Sequence, residues 1–219
     1  EHDGPVLDLG AGTGRVALHL AARGHEVVAV DSDPDLLATL RGRAAGRSVD
    51  VETLLADVRD LDLGERSFGL VIAPMQLIHL LGGPEGRRRA FDSAATVLGD
   101  GGALAMTILR EPLPPSGVPA PLPDVREVDG WVHSGLPIAV EVGPETVELV
   151  RLRQLVSPDG ELSEKRSVTR LDRVDPAALD AELAACGLTC SRAEPIAATD
   201  EHVGSLLVVA QPTQGGTDA

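Results

Sequence analysis

Val6-Leu7-Asp8-Leu9-Gly10-Ala11-Gly12-Thr13-Gly14 joins an apolar tetrapeptide to a glycine-rich turn near the start of this chain. Its first four residues are an apolar run carrying one acid, and its last five set glycines at alternate positions. That pattern reads as a buried strand ending in a turn with a bare main chain, where a Cβ would block close approach or resist a positive φ. Working outward, Val16, Ala17, Leu20 and Ala21 are apolar at helical spacing, so Arg15 to Arg23 is predicted as a helix whose N-terminus faces the loop. Glu26-Val27-Val28-Ala29-Val30-Asp31 then reads as a second buried strand ending in an acid. An acid about 20 residues after the first glycine of a strand-loop-helix-strand unit is placed to meet a pair of ribose hydroxyls.

The third glycine separates two classes of nucleotide cofactor. A dinucleotide loop of the form G-x-G-x-x-G/A needs a small residue at position 15, and this chain has Arg15. The G-x-G-x-G spacing instead resembles motif I of the class I S-adenosylmethionine-dependent methyltransferases, whose loop accepts the amino-acid end of the cofactor. Later segments follow in that family's order. After a helical stretch from Pro34 to about Ala45, Val51-Glu52-Thr53-Leu54-Leu55 reads as a short strand, and Ala56-Asp57-Val58-Arg59-Asp60-Leu61 is similar to the segment that holds adenine. Phe68 to Pro74 resembles the motif IV strand. A helix with Arg87, Arg88 and Arg89 on solvent and Phe91, Ala94, Ala95 and Leu98 inward precedes Leu98-Gly99-Asp100-Gly101-Gly102, similar to the family's turn into the fifth strand with Asp100 in place of proline.

The resemblance implies an α/β fold: a Rossmann-like, doubly wound, mostly parallel seven-stranded sheet. Residues 1–110 are expected to form its cofactor-binding half, and residues 175–210 a C-terminal helix and strands that complete the sheet. Between them, 111–174 reads as a proline-rich loop, 111–124, followed by a small antiparallel β insertion with strands at Ile138–Val142, Thr146–Val156 and Leu162–Leu171. Relatives use such insertions as an acceptor-site roof or a homodimer contact. Strands are also predicted near Leu188–Ala193 and Gly204–Val209, after a helix from Pro176 to Cys186, and 211–219 reads as a polar, loose tail. The family also implies one or two helices ahead of the first strand that close over the cofactor; either they lie outside this sequence, with part of the acceptor site, or another part of the chain supplies the lid.

Site assignments follow from the resemblance and compete with plainer roles. Gly10, Ala11, Gly12 and Gly14 would cradle S-adenosylmethionine, leaving S-adenosylhomocysteine as product. Asp8 would serve the cofactor's ammonium end or the loop's own amides. Asp31 and Ser32 would meet the ribose, although Asp31-Ser32-Asp33-Pro34 is also a helix-capping run in which Ser32 or Asp33 caps. Asp57, in competition with Asp60 and Asp62, would accept from the adenine amine while Val58 walls the ring. Ala73 and Met75 end the motif IV strand beside the cofactor, Met75 also reading as pocket wall or core. Gln76 would orient the acceptor, and His79, with a near-neutral intrinsic pKa, would act as a base or else pack the loop. Arg110 with Glu111 would read the acceptor's charge or form a surface pair. Trp131 and His133 stand out in a chain with no Tyr and two Phe, and Trp131 reads as pocket wall or core.

Composition narrows the partners. The 219 residues carry 34 acids against 19 Lys and Arg, a net charge of −15, which repels phosphate backbones and disfavours nucleic acid. Mean hydropathy is +0.07, and no apolar run reaches the ~18 residues of a membrane span. A small-molecule or peptide acceptor is expected. Cys186 and Cys190, with dispersed His2, His19, His25 and His202, predict neither metal nor disulfide and a reduced, cytoplasmic setting. The reading is therefore a methyltransferase acting on O or N, with a cofactor-binding but non-catalytic partner protein and, behind it, a NAD-dependent oxidoreductase as alternatives.

Overall fold

The computed structural model describes residues 4–110, 113, 116–117, 124–199 and 203–213. They fall into two compact units. The first comprises the described residues to Ile108, Val174–Ile196 and those from Ser205 onward. The second comprises those within Leu109–Arg173 and Ala197–Gly204.

In the first unit β1 (Val6–Leu9), β2 (Val27–Asp31), β3 (Glu52–Leu55), β4 (Phe68–Ala73) and β5 (Leu98–Leu109) alternate with α1 (Ala17–Ala21), α2 (Pro34–Ala45) and α3 (Gly83–Val97). β1 pairs in parallel with β2 and β4, β2 with β3, and β4 with β5. Beyond β5, α4 (Pro176–Ala185) leads into β10 (Leu188–Ile196) and β11 (Ser205–Pro212), which pair antiparallel. The sheet order is β10-β11-β5-β4-β1-β2-β3, so the chain winds outward in opposite directions from the β1/β4 boundary. Ligands of doubly wound sheets bind at the strand C-termini beside such a switch.

Both faces of β1 and β2 are covered, which is why these strands read as near-continuous apolar runs. Leu7, Leu9, Val28 and Val30 pack on one side with Phe68, Phe91, Leu104 and Met106. Val6, Val27 and Ala29 pack on the other with Leu18, Leu37 and Leu40.

Several expectations are corrected. Arg87 does not face solvent: it is 4% exposed and its guanidinium bonds Glu182 of α4 through Nε at 2.7 Å and Nη2 at 2.6 Å. Helical periodicity marks which residues share a face but not that a second helix covers it. The first helix is shorter than predicted, Ala17–Ala21, and lacks a side-chain N-cap. Gln211 and Pro212 belong to β11 and not to a tail, held there by pairing with Thr189 and Leu188. Residues 214–219 and Glu111 lie outside the described residues.

Cys186 ends α4, with its thiol against the Arg88 carbonyl and pushed up to about 12 by burial and by Asp92. The thiolate is the nucleophile, so Cys186 is expected to resist iodoacetamide at pH 8. Mass spectrometry against an added glutathione standard checks this: labelling at the standard's rate would contradict the burial.

In the second unit, β6 (Asp124–Val128), β7 (Trp131–Val142), β8 (Thr146–Val156) and β9 (Leu162–Asp172) form an antiparallel meander. β6 was not foreseen, since Asp, Arg and Glu interrupt it and all five residues are exposed. The expected proline-rich loop therefore ends before Asp124. Trp131 begins β7 and is 40% exposed, neither core nor enclosed wall.

Candidate active site

The loop after β1 carries its glycines at φ +63, +55 and +80 for Gly10, Gly12 and Gly14. The demands on the three differ. A Cβ at Gly10 would lie 2.7 Å from Leu77, and one at Gly14 would lie 2.7 Å from Leu40, so both are closed by packing. A Cβ at Gly12 would meet nothing within 4 Å. That position opens onto the space at the end of β1.

Asp31 fixes the loop from the end of β2. Its Oδ2 accepts the Gly12 amide at 2.7 Å and its Oδ1 the Asp33 amide at 2.9 Å. Each carboxylate oxygen keeps a further lone pair, so hydroxyl donors can still be received. Asp33 caps α2, accepting from the Asp35 and Leu36 amides, and Ser32 is exposed beside it. Capping and ligand duties thus fall on different residues. Ala11 is buried, its amide donating to the Val30 carbonyl at 2.9 Å. Arg43, in the last turn of α2, donates to the Thr13 carbonyl at 2.6 Å and to its hydroxyl at 2.9 Å. Sequence reasoning missed Arg43, because nothing local marks an arginine 30 residues away as a brace for this loop.

Asp8 is the anomaly of the site. It is fully buried on β1, and neither carboxylate oxygen makes a well-formed hydrogen bond, the Ala17 amide that faces it falling short of hydrogen-bond geometry. Burial pushes its pKa up to about 7, only partly offset by the Ala17 amide, and the nearby Asp31 charge adds to the rise. An orphaned buried acceptor is costly and points to a missing donor, best a cationic one.

After β3 the three acids separate. Asp57 accepts from the Arg59 amide and is clasped by the Arg59 guanidinium, Nε at 2.9 Å and Nη2 at 2.5 Å, which holds its pKa down to about 2. Asp60 pairs with Arg89, and Asp62 accepts the Gly64 amide. Val58 is buried in the hydrophobic core. At the end of β4, Ala73 is buried, and Met75 is half-exposed at φ +62 with its carbonyl bonded by the Thr107 hydroxyl at 2.8 Å. A non-glycine residue held in that region costs on the order of 1–3 kcal/mol, and such residues cluster at functional sites. Gln76 is half-buried, and the Leu77–Leu80 3-10 turn buries His79, whose amide donates to the Gln76 carbonyl at 3.0 Å. Arg110 belongs to the second unit, exposed, with its amide on the Gly204 carbonyl.

The open position at Gly12 and the unpartnered Asp8 fit the amino-acid end of S-adenosylmethionine: a bare main chain for close approach and a buried carboxylate for its ammonium group. Among the described residues no three His, Cys, Asp or Glu side chains gather as a metal site, and no helix is long and apolar enough to cross a membrane.

The glycines separate by experiment. Gly14→Ala is expected to lower the melting temperature by several degrees, since its Cβ meets Leu40 and overpacking costs about 1–3 kcal/mol. Gly12→Ala adds only left-handed strain of about 1–2 kcal/mol but weakens S-adenosylhomocysteine binding. Equal melting losses with unchanged binding would contradict the distinction.

Residues 6–102 match the family model described as Methyltransferase domain. An uncharacterized methyltransferase of Mycobacterium bovis is 38% identical over 101 residues, 46% of this chain and 38% of that protein. The chain therefore spans less than half the length of this curated relative. Among solved structures, the CcbJ methyltransferase of Streptomyces caelestis superposes with a TM-score of 0.72 at 26% identity, covering 95% of this chain and 83% of that one. The sugar N-methyltransferase KedS8 of a Streptoalloteichus species shares the fold, with a TM-score of 0.75 at 20% identity over 94% of this chain and 79% of that one. The domain match, the likeness to CcbJ and a site shaped for the cofactor's cationic end agree: residues 6–102 are a methyltransferase domain, and the chain is similar to the class I S-adenosylmethionine-dependent methyltransferases, with S-adenosylmethionine as the cofactor its site fits.

Proposed function

We propose that this protein transfers a methyl group from S-adenosylmethionine to a nitrogen or oxygen of a small molecule or peptide by in-line displacement. The observation that carries the reading is the buried, unpartnered Asp8 beside the open Gly12. A protein that had lost its cofactor would have no reason to keep a desolvated carboxylate there. Bound S-adenosylmethionine supplies a sulfonium-activated methyl group. What the chain must add is orientation and exclusion of water, since correct placement alone is worth up to ~7–11 kcal/mol of a barrier.

In this reading Gly10, Ala11, Gly12 and Gly14 form the cradle, Asp8 binds the ammonium group, and Asp31 with Ser32 receives the ribose. Asp57 takes the adenine amine in exchange for part of its shared Arg59 Nε contact, with Val58 lining that wall. Ala73 and Met75 sit at the methyl end, and Gln76 orients the acceptor. His79 takes the proton of a hydroxyl or ammonium acceptor, while Arg110 reads acceptor charge. The assignment keeps residues 1–110 as the cofactor-binding half, 111–174 as an insertion and 175–210 as the helix and strands that complete the sheet, apart from Ala197–Gly204, which fall in the second unit. Its setting is cytoplasmic. A carboxylate acceptor or a neutral amine would need no base.

The test is methyl transfer from labelled S-adenosylmethionine to a panel of amines, hydroxyl compounds and carboxylic acids. Transfer to a member of the panel, reduced about 10²-fold or more by His79→Gln for a hydroxyl acceptor, is expected. Cofactor binding with no transfer to any class would favour the non-catalytic partner reading.

A further inference from the structure

On β8 and β9 of the four-stranded sheet the two faces carry different charge patterns. On one, the register sets Glu148 opposite Arg170, joined at 2.5 Å, and Gln154 opposite Glu164, joined at 2.6 Å. On the other face of the same two strands, Arg153 stands opposite Lys165 and Arg151 opposite Ser167. Arg151 and Arg153 are two residues apart on β8, so alternation puts them side by side. Like charges directly opposite one another destabilise a sheet. Among the described residues of this face, Asp124 is the one acid; it lies opposite Gly135, which lies opposite Arg153. Among the described residues, no ion pair joins Asp124 to Arg151, Arg153 or Lys165.

Gly135 and Pro137 are the β7 partners of the two arginines, so no long side chain covers them from that strand. Ser167 and, one pair further along β9, Ser163 and Thr169 line the other side with hydroxyls. Arg151 is half-buried, and both that burial and the neighbouring Arg153 work against its charge. In a chain with 34 acids and 19 Lys and Arg, a cationic row without an acid calls for an external anion.

We propose that Arg151, Arg153 and Lys165 bind the oxyanion of a small molecule, a phosphate or carboxylate group, with Ser167 as an added donor. Guanidinium groups match the planar, bidentate geometry of such anions. The ligand is small because three adjacent cations on a chain of net charge −15 do not overcome its repulsion of a nucleic acid or an anionic membrane. This inference stands independently of the methyl-acceptor assignment.

Trp131, the sole tryptophan, alternates onto the same face as Gly135 and serves as a reporter. The full chain at low ionic strength is titrated with inorganic pyrophosphate and, separately, with citrate, by calorimetry and Trp131 fluorescence. Saturable binding of at least one is expected, and the one preferred distinguishes a phosphate ligand from a carboxylate. It weakens about tenfold or more in Arg151→Gln/Arg153→Gln and about threefold in Lys165→Gln, but not in Arg170→Gln on the opposite face. Thermal melts show that each variant is folded, and the single Lys165→Gln variant carries the test if the double one is not. Failure of the wild type to bind either anion would overturn the proposal, as would folded row variants that bind as well as wild type. So would a wild-type dimer, seen by sedimentation, that the double variant dissociates, since a second copy would then occupy the row.

Discussion

Asp8→Asn is expected to stabilise the ligand-free protein at pH 8 while weakening S-adenosylhomocysteine binding about 10- to 100-fold, the range set by losing a charge-assisted hydrogen bond of ~1.5–3 kcal/mol. The opposed signs arise from one feature, a carboxylate desolvated without a partner. Its pKa is about 7 when folded against 3.8 ordinarily. Below pH ~4 both the folded and unfolded chains hold the proton, and Asp8 carries no charge penalty. Between these values the unfolded chain ionises while the folded one stays protonated, so stability falls as pH rises, and the full penalty, on the order of 4 kcal/mol, is present above about 7. The asparagine side chain does not titrate, so the variant loses this dependence. Ligand affinity runs the other way, because a cation is best received by ionised Asp8: wild-type binding strengthens from pH 5 to about 7 and then levels, while the variant's profile is flat. Urea unfolding and calorimetry at pH 5 and pH 8 check both halves. A variant less stable than wild type at pH 8, with unchanged affinity, would mean that Asp8 is structural.

Arg87→Ala carries the second large effect. Arg87 on α3 and Glu182 on α4 are joined by two hydrogen bonds, with side chains 4% and 14% exposed. Truncating one partner strands the other charge, which costs about 3–5 kcal/mol, or roughly 6–20 °C of melting temperature at this chain length. The pair's net worth is much smaller than that loss. Arg87→Met/Glu182→Leu, which replaces both charges by apolar groups of similar volume, is therefore expected to recover most of it. A single variant that melts within about 2 °C of wild type would show that water reaches Glu182 freely.

These two sites show what the sequence could and could not convey. The β1–loop–α1–β2 unit was legible because buried parallel strands write themselves as apolar runs and because positive φ selects glycine at three positions. The helix at Pro34–Ala45 was legible to the residue, since Asp33 caps it and proline opens it. Asp8 was visible as an acid in an apolar strand, but its lack of any partner is a three-dimensional fact. Arg87, Arg88 and Arg89 are identical in type and consecutive, so only the presence of α4 selects Arg87 for burial. Arg43 on Thr13 and Arg59 on Asp57 were equally hidden, because long cationic side chains choose partners across the fold. The β6 strand escaped because its exposed, charged residues carry no apolar alternation. Its fold partner is an exposed Trp131 hairpin, whose pairing depends on register and not on burial.

The most direct test of the central claim is calorimetric titration of the purified chain with S-adenosylhomocysteine and, in parallel, with NAD. The account predicts saturable one-to-one binding of S-adenosylhomocysteine, lost or greatly weakened in Asp8→Asn, and no heat of binding with NAD. Binding of NAD, or S-adenosylhomocysteine binding indifferent to Asp8, would contradict it.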